Sequence, residues 1–93
     1  MVQVLEPIER RDLHYEVISR LVDLLIVSQP GSRLPSEREI GESLKVGRST
    51  VREALRALAS LGAVDIRRGD GIFAGNIDES VLRRLVQLGL EAL

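Results

Sequence analysis

The 93-residue sequence predicts one mainly α domain: three helices in a common core, a two-stranded hairpin after them, and a further helix trailing behind. Three observations predict it. Apolar residues recur at helical spacing in segments that Pro and Gly separate. Ser36-Glu37-Arg38-Glu39 has the form of a helix-opening capping box. Gly69-Asp70-Gly71 lies between two short runs of strand-forming residues, as a hairpin turn does.

The elements follow in chain order. Residues 1–11 carry no periodicity, include Pro7, and are expected as a mobile arm. Asp12 is the expected N-cap of helix one, which runs to Ser28 and presents Leu13, Val17, Leu21, Leu24 and Leu25 as one apolar stripe. Gln29-Pro30-Gly31-Ser32 ends it. In helix two the Ser36 hydroxyl accepts from the Glu39 amide, and the Glu39 carboxylate accepts from the Ser36 amide. Glu37 also suits a helix start, where the dipole favours negative charge. The helix runs to Leu44, and Lys45-Val46-Gly47 is the turn. Helix three spans Arg48 to Leu61 with Val51, Ala54, Leu55 and Leu58 as its buried face, and Gly62 stops it. Ala63 to Arg67 alternates roughly as a strand, and Ile72-Phe73-Ala74 returns. Asp78 caps the last helix, whose Val81, Leu82, Leu85, Val86, Leu90 and Leu93 supply a wide apolar face. The domain proper is expected over residues 12–75, with 76–93 a linker.

Composition narrows the function. Apolar residues make up 44% of the chain, enough for a globular core. One Tyr, one Phe and no Trp leave almost nothing from which to build a stacking platform for single strands. The absence of Cys excludes disulfides and thiolate metal sites, and neither a cofactor nor a metal is expected. No signal peptide is expected, since the first residues lack a basic segment before an apolar run. The longest apolar stretch, Leu24 to Val27, is far too short to span a membrane. The net charge of −1 argues against a nucleic-acid partner until its distribution is read. Between Lys45 and Arg68 lie six basic residues (Lys45, Arg48, Arg52, Arg56, Arg67, Arg68) against two acidic ones, Glu53 and Asp65. That segment carries +4 and the remainder −5, so a basic patch sits on an acidic body.

Residues 37–56 have the spacing of a helix-turn-helix. Ile40, Leu44, Val46, Val51 and Ala54 are apolar where the two helices touch, and Gly41 is small where they approach most closely. This geometry frees the start of the second helix to enter a DNA major groove. Arg48, Ser49, Thr50 and Arg52 stand there, and Arg48, Arg52 and Arg56 recur every four residues as one stripe. The guanidinium fork matches the N7 and O6 acceptors of guanine, and Ser49 and Thr50 can bond phosphates or base edges. The hairpin makes a wing, with Arg67 and Arg68 on its rising edge near phosphates or the minor groove. The architecture is therefore a winged helix-turn-helix.

Leu34-Pro35-Ser36-Glu37-Arg38-Glu39, then Arg48-Ser49-Thr50-Val51-Arg52-Glu53-Ala54-Leu55, then Leu58, Leu61-Gly62 and Gly69-Asp70-Gly71-Ile72-Phe73 together resemble the GntR family of bacterial regulators. The resemblance covers residues 12–75. It implies that Arg38, Arg48, Ser49, Thr50 and Arg52 contact an operator, and that Arg68 and Gly69 lie along the minor groove. It also implies a cytoplasmic transcriptional regulator, whether repressor or activator, that binds a palindromic double-stranded operator as a homodimer. A C-terminal domain binding a small-molecule effector is implied too. Residues from Asp78 look like a linker or the first helix of such a domain of the helical FadR type, so the chain is expected to be a piece of a longer protein. Two positions depart from the family pattern. Lys45 stands where Gly is usual in a left-handed turn, at a cost on the order of 1 kcal/mol. Gly47 stands where Ser or Thr usually caps helix three; Lys45 is expected to replace the missing phosphate contact with its charge.

Other readings of the same residues are weaker. A row of arginines on a helix is often only a solvated face, but here it coincides with a helix-turn-helix and a wing. Capping accounts for Glu37 and Glu39 better than acid–base catalysis does. His14 has no nearby Ser or metal-ligand partner, and Ser36, Ser49 and Ser60 lack an activating base, so no catalytic residue is expected. Asp70 at the wing tip would repel a phosphate and is expected to point away from DNA. The runner-up function is a protein-interaction or dimerisation module without DNA binding, using the apolar last helix.

Overall fold

The computed structural model describes residues 9–89, with side chains from Leu13 onward. The elements are α1 (Glu9–Ile26), α2 (Glu37–Leu44), α3 (Arg48–Ser60), β1 (Val64–Arg67), β2 (Gly71–Ala74) and α4 (Glu79–Gln87). Their order is the expected one, and the architecture is mainly α with a single antiparallel ribbon. The start of α1 differs from expectation. Asp12 is not an N-cap but lies inside the helix, and residues 9–11, assigned to the arm, are helical. Glu and Arg are good helix formers, so the helix extends beyond the point where its apolar stripe begins. Residues 1–8 of the expected arm, and Leu90 and Leu93 of the expected apolar face, lie outside the described residues.

The core is one cluster in which α1 packs across α3. Val17, Ile18, Leu21, Val22 and Leu25 are the buried positions of α1. That pattern fills two adjacent rows of the helix, whereas the expected stripe followed one. Ile18 and Val22 were missed; Leu24 is only partly buried and Leu13 is 40% exposed. On α3 the expected residues Val51, Ala54, Leu55 and Leu58 are all fully buried.

The turn between α2 and α3 is set by two backbone demands. A Cβ on Gly41 would sit 3.0 Å from the Val46 carbonyl oxygen and 3.7 Å from Val51 Cγ2, so the close helix approach leaves room for only a small residue there. Lys45 adopts φ 59 and ψ 46, the left-handed conformation, and its N–H donates to the Gly41 carbonyl. Before α2, the capping box is complete. Glu39 N–H donates to Ser36 Oγ at 3.1 Å, and Ser36 N–H donates to Glu39 Oε1 at 2.8 Å.

In the ribbon, residues pair from Val64↔Ala74 to Arg67↔Gly71. The turn comprises Arg68, Gly69 and Asp70, closed by the Asp70 N–H to the Arg67 carbonyl at 2.9 Å; Gly71 belongs to β2. Only Val64 of β1 is buried, so the expected alternation is absent, because the ribbon projects beyond the core. A third segment supports it. Gly31 N–H donates to Ala74 O, Ala74 N–H to Ser32 O and Leu34 N–H to Ile72 O, each at 2.8 Å. Residues 31–34 thus line the free edge of β2 and tie the wing to the helices.

α4 docks by two of the four described residues of its expected face. Asp78 caps it, accepting from the Val81 N–H at 2.9 Å. Val81 and Leu85 are buried, while Leu82 and Val86 are exposed. Arg84 Nη1 donates to the Leu61 carbonyl at 3.2 Å, covering an end of α3. No helix among the described residues is long and apolar enough to cross a membrane.

Candidate nucleic-acid interface

The basic surface centres on the start of α3. Gly47 is its N-cap, in extended conformation, and offers no side-chain acceptor to the first turn. The first intrahelical bond is Val51 N–H to Gly47 O at 3.2 Å. The amides ahead of it have no intrahelical acceptor, and no acidic residue in the first turn offsets the positive end of the helix dipole. Arg48 and Ser49 are exposed there and Thr50 is half-buried. Arg38, Lys45 and Arg48 rim one shallow depression over the α2–α3 turn. Arg38 is tied to Glu42 on its own helix at 3.2 Å, an exposed pair of little energetic weight.

Arg48, Arg52 and Arg56 are all exposed on α3, in a row that starts at the edge of its buried face and turns away from it. They are not equivalent. Arg52 Nε donates to Glu37 Oε2 at 3.1 Å and Arg52 Nη2 donates to Glu37 Oε1 at 2.9 Å, a two-point grip from α2 onto α3. No ion pair within 4.0 Å joins Arg48 or Arg56 to an acidic group among the described residues. The Arg52 hydrogen bonds hold the Glu37 carboxyl below its ordinary value of 4.5, against an opposing push from burial, with further attraction from Arg52, Arg48 and Arg56. Arg52 is raised in return, mainly by its bond to Glu37. Beside Ser49 and Thr50, the start of α1 contributes Leu13 and His14. Among the described residues His14 Nδ1 has no hydrogen-bond partner, and it lies 3.8 Å from Glu53 Oε1.

On the wing, Arg68 and Gly69 are exposed at the turn, with Gly69 at φ +84. Arg67 is more constrained than the sequence suggests. Its guanidinium lies 4.0 Å from the centre of the Phe73 ring, and its Nε donates to Asp65 at 2.9 Å. Arg33 approaches the same ring at 5.5 Å, which adds a cation to the wing. Sequence reasoning missed Arg33 and the Glu37 grip. Arg33 reaches the wing only through the unforeseen pairing of residues 31–34 with β2. Glu37 reads from sequence as a helix-start residue, and its partner is fifteen positions away. Asp70 is exposed at the tip. Among the described residues no group of three or more His, Cys, Asp or Glu is placed to hold a metal ion.

Residues 14–74 match the model of the family described as "Bacterial regulatory proteins, gntR family". The Uxu operon transcriptional regulator of Escherichia coli (strain K12) is 50% identical over 62 residues, covering 64% of this chain and 24% of that protein. The fatty acid metabolism regulator protein of Pasteurella multocida (strain Pm70) is 43% identical over 63 residues, 63% of this chain and 26% of that protein. The chain thus spans about a quarter of the length of these relatives. Among solved structures, Streptococcus agalactiae GntR superposes with a TM-score of 0.63 at 36% identity, over 69% of this chain and 32% of that one. The first of these relatives is named a transcriptional regulator and the second a metabolism regulator. With a family match across most of its length and a winged fold to accompany it, the chain belongs to the gntR family of bacterial regulatory proteins.

Proposed function

We propose that this chain is the DNA-reading module of a transcriptional regulator, with α3 in the major groove and the wing beside the minor groove. The observation that carries this reading is the outward row Arg48, Arg52 and Arg56 beside an uncapped helix start. Such a start offers amides and a positive dipole to a phosphate, while the arginines reach base edges. Arg38, Lys45, Arg67, Arg68 and Arg33 supply phosphate contacts, and Ser49, Thr50 and the Gly69 backbone complete the surface. In the full-length regulator two copies bind a palindromic operator, an effector-binding region outside this chain adjusts affinity, and occupancy of the operator represses transcription in the cytoplasm.

Selection of bound duplexes from a random pool, followed by competition against a scrambled duplex at several salt concentrations, tests the reading. The expected result is one recurring half-site whose affinity falls steeply with salt. A pool that stays random after repeated rounds overturns it.

A further inference from the structure

We propose that Glu37 is a specificity-determining positioning residue, which fixes the Arg52 guanidinium on the DNA-facing side of α3 and dulls its attraction for phosphate. The inference rests on the proposed reading that α3 enters the major groove. A carboxylate beside three arginines that face a polyanion weakens binding unless it does something else. Opening α2 does not require it, because Ser36 and Glu39 already complete the capping box. What Glu37 does hold is Arg52, by two hydrogen bonds of 3.1 and 2.9 Å.

The layering of the pair fits this role. The Glu37 side chain is 28% exposed and that of Arg52 is 51% exposed, so the carboxylate lies behind and the guanidinium in front. Of the five guanidinium N–H groups, the grip occupies one on Nε and one on Nη2. The Nη1–Nη2 edge keeps its fork, the edge that matches N7 and O6 of guanine. A guanidinium already held in place loses less freedom on meeting its base. It also gains less from a stray phosphate, since its charge is balanced. Both effects widen the gap between the right sequence and all others.

The test compares the 93-residue chain with its Glu37→Gln variant on the selected half-site duplex and a scrambled duplex, across a salt series. Glu37→Gln is expected to bind the scrambled duplex more tightly and with a salt slope steeper by about one unit. Its preference for the half-site is expected to fall on the order of tenfold. Arg52→Lys, which keeps the charge but loses the two-point grip, is expected to show the same loss of preference with an unchanged slope. Ser36→Ala disturbs the same helix start without touching the pair and is expected to lower the melting temperature while preserving the preference. If Glu37→Gln does not fold, Glu37→Asp, which keeps the charge but draws the carboxylate back from Arg52, decides in its place. An unchanged preference in the deciding variant overturns the inference while leaving DNA reading intact. Failure of the wild-type chain to select any duplex overturns the reading beneath it.

Discussion

Lys45 sits at φ 59, where a Cβ crowds the following carbonyl, and its N–H closes α2 onto Gly41. Replacing it by glycine relieves that crowding at the expense of a more flexible unfolded chain. Lys45→Gly is expected to raise stability by about 0.5–1 kcal/mol, and the melting temperature by several degrees, at roughly 4–8 °C per kcal/mol for a domain of this size. The same variant is expected to reduce the salt slope of DNA binding by about one unit, since it removes a cation from the rim of the Arg48 depression. Melting curves and salt titrations of one variant check both, and an unchanged melting temperature with an unchanged slope overturns the account of this position. Gly41 and Lys45 were legible in sequence because their demands are local: close approach and handedness arise within a few residues. The Glu37–Arg52 grip was not, because its partners meet only once α2 and α3 have packed.

That grip has a pH consequence. The carboxyl of Glu37 is depressed in the folded state, so its contribution is present above the ordinary value of 4.5 and is lost as pH falls below it towards the lower folded value. The urea midpoint of the wild type is expected to fall in this acid range more steeply than that of Glu37→Gln. Parallel curves below pH 5 would show that the pair adds nothing to stability.

Among the elements, α2 is short, at eight residues, and depends on its capping box. Ser36→Ala removes the acceptor for the Glu39 amide and is expected to cost about 1 kcal/mol, read as a lower urea midpoint with an unchanged slope. The box was legible because its residues follow a fixed spacing. The edge segment 31–34 was not, since Ser32-Arg33-Leu34 between Gly31 and Pro35 is too short to show a period. α1 was legible in existence and direction of packing but not at its start, where Glu9, Arg10 and Arg11 extend a helix that has no apolar marker there. The wing projects past the core, which is why β1 buries only Val64 and why alternation was a poor guide to it.

At the scale of the whole fold, the core of the described residues is one cluster with Leu55, Leu58 and Val51 at its centre. A domain of this size has little stability in reserve. Leu58→Ala is expected to cost about 2–5 kcal/mol and to leave a substantially unfolded chain at 37 °C, as far-ultraviolet circular dichroism would show. A variant that melts within a few degrees of the wild type would mean that α1 and α3 repack freely, contrary to the interlocked arrangement described here.

The central claim is that the exposed side of α3 and the wing meet duplex DNA while the rest of the molecule only holds them in place. The most direct measurement is a backbone amide shift map of the 93-residue chain titrated with a selected duplex. The account predicts the largest changes at Arg48 to Arg52 and at Arg67 to Gly69, with Leu21 to Leu25 of α1 nearly still. Changes gathered on Leu82 and Val86 of α4, with the start of α3 unmoved, would contradict it.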